Sequence, residues 1–323
     1  MILKWGILGL GKIANKFAMD LALVEHCELS AVASRTAAKA VAFGEQYGAK
    51  YFHSDYESLF NNEEVDIIYI ATPHSSHMEF ALNALNHGKH VLCEKPLAVN
   101  RLQVQKLIDA SKANNVFLME AFWTRFNPSI EAVLERIRKN EIGEVNYINA
   151  DFSFYRDADP KSRMLNMDLA GGSLLDIGVY PIFLSYLIMG YPAEILATAI
   201  KHETGADLQT SAILKYKNGL ANVMSGFRSA SDMVAKIYGT EGKIFIDKVW
   251  HESQGYKVEK DDQLESFSLP TIGKGFTYEI AECFSCIEKG RIESKKWSHQ
   301  DSLNLISICD EIRMQIGLKY PFE

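Results

Sequence analysis

The N-terminal segment joins an apolar strand to a helix through a glycine-rich turn. Residues 2–8 are mostly apolar and predict a strand, which runs directly into the turn of residues 9–14 and then into a helical pattern. Gly9 allows a sharp turn, Gly11 allows backbone N–H groups to approach a pyrophosphate, and Ala14 allows close helix–strand packing. The positive end of the helix favours phosphate. We therefore expect a dinucleotide to contact Gly9, Gly11, Lys12, Ile13 and Ala14.

The turn after the second predicted strand bears on which dinucleotide binds. About twenty residues after such a glycine turn, an NAD site usually has an Asp or Glu for the ribose 2′-hydroxyl. Here the strand predicted over residues 28–33 ends in Ser34-Arg35-Thr36, and the next carboxylate is Glu45. Arg35 can pair with a 2′-phosphate, and the two hydroxyls add donors. The pattern favours NADP over NAD, with a solvated Arg35 as the alternative.

Length and composition predict two globular domains. The chain has 323 residues, of which 47% are hydrophobic and 23% charged. A net charge of -7 without a long basic run argues against nucleic acid or an anionic membrane as partner. The chain shows no signal-peptide pattern and no window of about eighteen consecutive apolar residues. Five scattered cysteines indicate reduced thiols, so a cytoplasmic protein is expected.

Residues 1–120 alternate strand and helix patterns, which predicts an α/β Rossmann domain with a doubly wound parallel sheet. Helices are predicted over 77–86 and 101–113, the second with Asn100 as N-cap. The predicted strands end near Leu8, Ala33, Ala71, Cys93 and Met119.

Residues 121–323 predict an α+β domain with an open, largely antiparallel sheet and helices on one face. Its predicted helical segments cover 127–140 and 173–189, and Asn218-Gly219 marks a tight hairpin. Strands are predicted over 145–154, 194–201, 211–216, 220–228, 234–238 and 243–247. The uncovered side of such a sheet must be shielded. We expect a homodimer or a dimer-based tetramer, with a helix-shielded monomer as the alternative.

Ligands of an open parallel sheet bind beyond the carboxyl ends of its strands. After the third predicted strand, Thr72 and Pro73 are expected to touch a nucleotide ribose, while His77 faces the site or caps the following helix. A polar loop is the alternative for His74 and His77. We expect no metal site, because no third ligand stands nearby and Cys283-x-x-Cys286 has no second pair.

Glu94-Lys95-Pro96 follows another buried strand, and the proline ends that strand. An ammonium group at this point can hold a substrate oxygen beside a nicotinamide. The alternative is a surface Lys95 paired with Glu94. Farther along, Gly171-Gly172 introduces a helical pattern in which Asp176 and Tyr180 share a face.

Three motifs occur in order along the chain: the glycine turn, Glu94-Lys95-Pro96, and Gly171-Gly172-x3-Asp176-x-Gly178-x-Tyr180. This combination resembles the glucose-fructose oxidoreductase, inositol dehydrogenase and rhizopine catabolism family, commonly called Gfo/Idh/MocA, over essentially the whole chain. The resemblance implies a nicotinamide-binding Rossmann domain and a C-terminal open-sheet domain that holds substrate and usually the oligomer interface. It also implies that Lys95 is the catalytic lysine and Asp176 the substrate-binding aspartate.

One position departs from the commonest family pattern, because Tyr180 stands where many members have histidine. Tyrosine there, together with the segment 120–128, resembles the branch of the dimeric dihydrodiol dehydrogenases and the NADP-dependent D-xylose dehydrogenases. In that segment Trp123 and Phe126 are expected to wall an apolar side of the pocket, while Arg125 binds a substrate oxygen. Domain-junction packing is compatible with the same residues.

These observations predict an NADP-dependent oxidoreductase that moves hydride to or from a CH–OH carbon of a sugar or cyclic trans-diol, with NAD as the second cofactor choice. Tyr180 would be the acid/base on the reacting hydroxyl, with the Lys95 cation stabilising its ionised form. Asp176 would orient the substrate or Lys95. The alternative is a dinucleotide-binding regulatory or sensor protein without turnover.

Overall fold

The computed structural model describes residues 1–323, which form two compact units. The first unit comprises Met1–Arg125 and Ile272–Leu303, and the second comprises Phe126–Thr271 and Asn304–Glu323. This division differs from the single boundary expected at residue 120. The later segment belongs to the first unit because Phe276 and Ile280 are buried there and Asp20 accepts the backbone N–H of Phe276 at 2.8 Å.

The first unit contains the predicted doubly wound sheet, with six parallel strands in the order β3-β2-β1-β4-β5-β6. The strands are β1 (Leu3–Leu8), β2 (Cys27–Ala33), β3 (Tyr51–His53), β4 (Ile67–Ile70), β5 (His90–Glu94) and β6 (Leu118–Ala121). Every residue of β4 is buried, as expected for a strand covered on both faces. The sequence missed β3, since a short edge strand has no apolar run.

Helices flank this sheet, and one of them begins at the predicted cap. The Asn100 side chain accepts the backbone N–H of Gln103 at 3.0 Å, which satisfies a donor at the helix start. The helices are α1 (Lys12–Leu21), α2 (Ala37–Tyr47), α3 (Tyr56–Phe60), α4 (His77–Asn86) and α5 (Arg101–Asn114).

The second unit contains an eight-stranded mixed sheet in the order β14-β13-β12-β11-β7-β10-β9-β8. Its strands are β7 (Val145–Ser153), β8 (Glu194–Lys201), β9 (Asp207–Tyr216), β10 (Gly219–Gly226), β11 (Ala235–Gly239), β12 (Lys243–Ile246), β13 (Gly255–Lys260) and β14 (Gln263–Ser268). The pair β7–β10 is parallel and the other pairs are antiparallel, so the predicted sheet type is confirmed.

The second unit also contains α6 (Pro128–Arg138) and α7 (Val179–Met189), and α7 is preceded by a π-helical turn over Leu174–Gly178. Residues 167–189 are long and apolar enough to cross a membrane, with mean hydropathy 1.5, but 78% of their most apolar window is buried within the protein. Burial in a core accounts for this apolarity. The remaining helices of the chain are α8 (Thr277–Glu288), which belongs to the first unit, and α9 (His299–Gln315), most of which belongs to the second.

Candidate active site

The glycine turn after β1 has the geometry that a dinucleotide requires. Gly9 has φ +91°, and a Cβ there would lie 2.7 Å from the Ala71 carbonyl oxygen, so the close approach to β4 requires glycine. A Cβ at Gly11, in contrast, would meet nothing within 4 Å. Helix α1 has no side-chain cap and no acid in its first turn. Its N–H groups therefore fit a pyrophosphate.

A second helix start lies beside the predicted 2′-phosphate residues. Arg35 and Thr36 are exposed and Ser34 is buried, with its Oγ accepting the Thr36 N–H at 3.3 Å. Thr36 is the N-cap position of α2, which has no side-chain cap and no acidic residue in its first turn. This arrangement fits an added phosphate next to Arg35.

The turn after β4 holds a hydroxyl group that lacks a partner. Thr72 Oγ1 is buried and forms no hydrogen bond, which is costly unless a ligand supplies one. His77 is fully buried, and its ring nitrogens lie 2.8 Å from the Pro96 carbonyl oxygen and 2.9 Å from that of Thr72. Burial lowers the pKa of His77. The imidazole of His77 thus connects the turn after β4 to the turn after β5 through hydrogen bonds. Contact between His77 and a nucleotide stays a prediction.

Glu94 and Lys95 lie at the end of β5, before the cis Lys95–Pro96 peptide bond. Both residues are 8% exposed, so Lys95 is not the surface side chain of the alternative interpretation. The Tyr69 hydroxyl donates to Glu94 Oε1 at 2.5 Å, and Tyr69 stacks on Phe17 with ring centroids 3.7 Å apart. Burial, with the Glu94 charge, raises the pKa of Tyr69 well above its ordinary value. A neutral phenol therefore holds Glu94 in place.

A second carboxyl group, Glu279 on α8, lies in the same interior. It is fully buried, and neither of its carboxyl oxygens has a hydrogen-bond partner. Burial raises its pKa well above the ordinary value, and the charges of Glu94 and Asp20 add to the rise. Burial in this interior therefore favours the protonated form of Glu279.

We predict that Glu279→Gln stabilises the protein increasingly as pH rises. The pKa of Glu279 is higher in the folded protein than in the unfolded chain. The contribution of this carboxyl group to the free energy of unfolding is therefore fully present below the unfolded-state pKa, and it is lost as pH rises through the folded-state pKa. The glutamine variant has no such loss. We expect its free energy of unfolding to exceed that of wild type by about 1–3 kcal/mol at about pH 8, and by less at about pH 5, in urea unfolding. The exposed Glu288→Gln is the control; an equal gain at both pH values would contradict the prediction.

In the second unit, Asp176 lies in the π-helical turn and Tyr180 in the first turn of α7. Asp176 Oδ1 accepts from Arg163 Nη1 at 2.9 Å, and the Arg163 side chain is 58% exposed. The Tyr180 ring is 6% exposed and packs against Phe152 and His251, with centroids 5.5 and 5.2 Å away. The site is therefore aromatic around Tyr180 and charged around Asp176.

A buried carboxylate, Asp207, holds the start of that turn. Its Oδ2 accepts from Ser173 Oγ at 2.7 Å and from the Leu174 N–H at 2.8 Å. Gly172 has φ +130°, and a Cβ there would collide with Asp207 Oδ1. Burial raises the pKa of Asp207, and the bond from Ser173 opposes that rise. Asp207 therefore fixes where the segment carrying Asp176 and Tyr180 begins.

The segment after β6 is packed into the interior. Trp123 is buried and stacks on Phe276 at 4.9 Å, and Arg125 is buried with Nε donating to the Lys296 carbonyl oxygen at 2.8 Å. Phe126 is buried at the start of the second unit. The contacts of Trp123 and Arg125 lie within the first unit, and the substrate contacts expected of these residues stay predictions.

The sequence interpretation missed three residues near Asp176 and Tyr180: Arg163, Asp207 and His251. Arg163 lies in a segment without regular structure, and Asp207 and His251 lie far along the chain from the helix that they contact. No spacing signal connects them. No group of three or more His, Cys, Asp or Glu side chains in the chain could hold a metal ion.

Comparison with known proteins shows that both parts of the chain match models of one oxidoreductase family. Residues 3–122 match the family model described as an oxidoreductase family with an NAD-binding Rossmann fold, and residues 130–245 match the GFO/IDH/MocA C-terminal domain. The chain is 36% identical to trans-1,2-dihydrobenzene-1,2-diol dehydrogenase from Xenopus tropicalis, covering 99% of this chain and 100% of that protein. It is 34% identical to the NADP(+) scyllo-inositol 2-dehydrogenase of Bacillus subtilis (strain 168), covering 99% of each chain.

A solved structure extends the similarity to three dimensions. A 3-ketoreductase from Actinomadura kijaniata, crystallised with NADP and TDP-benzene, superposes with a TM-score of 0.88 at 27% identity and covers 98% of both chains. The family resemblance and the predicted two-part fold are therefore confirmed.

Proposed function

Because the chain belongs to the Gfo/Idh/MocA oxidoreductase family, we propose that it is an NADP-dependent dehydrogenase acting on a CH–OH carbon of a sugar or cyclic trans-diol. The observation that carries the proposal is a turn suited to pyrophosphate in the same chain as a buried Lys95 and a buried Tyr180. Bound NADP would supply the hydride acceptor.

In this proposal, the chain's own residues position the substrate and move its proton. Tyr180 takes the proton of the reacting hydroxyl, and the Lys95 ammonium holds the same oxygen and stabilises the tyrosinate. Asp176, whose carboxylate is paired with Arg163, orients a second hydroxyl. Trp123, Arg125 and Phe126 line the substrate site.

The proposed cofactor contacts follow from the two helix starts and the turns beyond β4 and β5. The N–H groups of residues 11–14 bind the pyrophosphate, and residues 34–36 bind the 2′-phosphate. The remaining proposed contacts with the ribose and nicotinamide are Gly9, Thr72, Pro73, His77, Glu94 and Lys95.

We predict that Arg35→Asp selectively weakens NADP binding. The change removes a charge-assisted hydrogen bond and places a negative charge beside the 2′-phosphate, so the Kd for NADP should rise roughly tenfold to a hundredfold. The Kd for NAD, which lacks that phosphate, should change by less than about fivefold. Titration of both cofactors measures this, with the exposed Arg138→Asp as control. A wild-type preference for NAD would refute the assignment.

Turnover tests the function itself. NADPH formation is followed with wild type, NADP+ and a panel of pentoses, hexoses, inositols and cyclic trans-diols. Steady turnover of at least one substrate is expected. Tight NADP binding with no turnover of any of them would support the regulatory or sensor alternative instead.

We also propose that the chain works as a cytoplasmic homodimer or dimer-based tetramer. The outer face of the second sheet exposes Leu196, Ile200, Ile213 and Leu220, an apolar surface of the kind that interfaces cover. The proposed reducing compartment rests on the five cysteines, an odd number scattered along the chain. Sedimentation at micromolar concentration should give a multiple of 36.3 kDa, and a purely monomeric species would refute the assembly.

A further inference from the structure

A histidine that the proposed chemistry does not use packs against Tyr180. His251 lies in the short helical turn Trp250–Glu252 and is 8% exposed. Its ring centroid lies 5.2 Å from that of Tyr180, and its face stacks on Phe152 at 4.0 Å with an interplanar angle of 22°. An imidazole therefore stands beside the proposed acid/base, in the interior of the second unit.

The backbone around His251 is held firmly. Val249 adopts the left-handed region, with φ 60° and ψ 47°, which is rare for a β-branched residue and persists only where neighbours enforce it. The Trp250 N–H donates to the Met233 carbonyl oxygen at 3.1 Å, and Trp250 Nε1 donates to that of Asp151 at 2.8 Å. The two residues that precede His251 are thus held in place, which positions the backbone of His251.

The chemistry of the surrounding side chains points to a substrate with several hydroxyl groups. Phe152 covers one face of the imidazole, whereas imidazole hydrogen bonds are made in the ring plane. Aromatic rings suit the C–H faces of a cyclic substrate. The polar groups of Asp176 and His251 suit hydroxyls, and a site built to bind a hydroxyl discriminates strongly against an analogue that lacks it.

We propose that His251 is a specificity-determining residue that binds a hydroxyl beyond the reacting pair, so that the enzyme favours polyhydroxylated rings over diols on an otherwise apolar ring. The inference rests on the proposed function, because it takes Tyr180 as the group on the reacting hydroxyl. Tyr180 and Asp176 engage two hydroxyls, which a vicinal trans-diol already provides. Only a sugar or cyclitol provides a third one for His251.

The test compares wild type with His251→Phe, which keeps a stacking ring, and His251→Gln, which keeps a donor and an acceptor. The compounds are D-xylose, scyllo-inositol and vicinal trans-cyclohexanediol. For each compound we measure kcat/KM with NADP+. We also measure, by calorimetry, the Kd with which each compound binds to the enzyme–NADP+ complex. The exposed His87→Phe is the matched control. The preference is the ratio of kcat/KM for the better polyol to kcat/KM for the diol. His251→Phe should lower this ratio roughly tenfold to a hundredfold, and His251→Gln should retain part of the preference.

The two readouts separate this inference from the proposed function. A polyol preference in the Kd that His251→Phe abolishes, without turnover by wild type, would support the role of His251 and refute the dehydrogenase. Turnover in which His251→Phe and His251→Gln change polyols and diol by equal factors would refute the role of His251 alone. A wild type that binds the diol as tightly as the polyols would also overturn it. If His251→Phe does not fold, a partial loss of the polyol preference in His251→Gln supports the role of His251, and an unchanged preference refutes it.

Discussion

Lys95→Met and Tyr180→Phe should each lower kcat by about a hundredfold or more on any substrate that wild type turns over, the scale of lost general acid–base help. Tyr180→Phe removes only the hydroxyl and keeps the ring that packs on Phe152 and His251. Lys95→Met keeps a chain of similar length without the charge. Steady-state kinetics with saturating NADP+ gives the comparison.

Controls for these two variants come from exposed positions. Lys106→Met and Tyr191→Phe make the same chemical changes outside the proposed site and should keep kcat within about twofold of wild type, as surface substitutions usually do. The Kd for NADP should also stay within about fivefold of wild type in the two site variants, because the proposed pyrophosphate and 2′-phosphate contacts involve neither residue. This constancy would assign the loss to the chemical step rather than to cofactor binding.

If the two residues act as one unit, the double variant should lose less activity than the product of the single losses. The pH profile of kcat should also change without Tyr180, because a charged lysine is a poor base. Near-wild-type turnover in both single variants would place the chemistry elsewhere and reopen the sensor alternative.

The sequence predicts the parts of the site that local chemistry determines. Gly9 and Gly11 stand out because strand, turn and helix follow one another; the backbone geometry requires glycine at Gly9, whereas open space surrounds Gly11. Lys95 stands out because a buried apolar strand ends at a charge followed by proline. Each of these signals is carried by a short segment of roughly ten residues or fewer, so periodicity and turn chemistry suffice to find it.

The remaining features depend on contacts between distant segments. A helix is predicted over residues 173–189, but residues 174–178 form a π-helical turn whose start is held by Asp207 at the beginning of β9. The pairing of Arg163 with Asp176, and the stacking of His251 beside Tyr180, likewise follow from tertiary packing. Strand β14 was missed because nearly all its residues are exposed, so it shows no apolar alternation.

Gly9→Ala and Gly11→Ala, two residues apart, should have different effects: the first should lower the stability of the protein, and the second should weaken NADP binding. At Gly9 the added methyl group meets the Ala71 carbonyl oxygen at 2.7 Å and the backbone has φ +91°. The left-handed conformation costs roughly 1–2 kcal/mol and the overpacking about 1–3 kcal/mol. Gly9→Ala should therefore lower the free energy of unfolding by roughly 2–5 kcal/mol, measured by urea unfolding without cofactor.

At Gly11 the methyl group meets nothing within 4 Å, so the stability of the cofactor-free protein should change by no more than about 0.5 kcal/mol. The methyl group would, however, occupy the space in which the pyrophosphate must approach the N–H groups of α1. Losing one hydrogen bond to a charged group costs about 1.5–3 kcal/mol, so the Kd for NADP should rise roughly tenfold to a hundredfold. A Gly11→Ala protein that binds NADP as tightly as wild type would mean that the open space at this turn is not the phosphate site, and the cofactor assignment would lose its main geometric support.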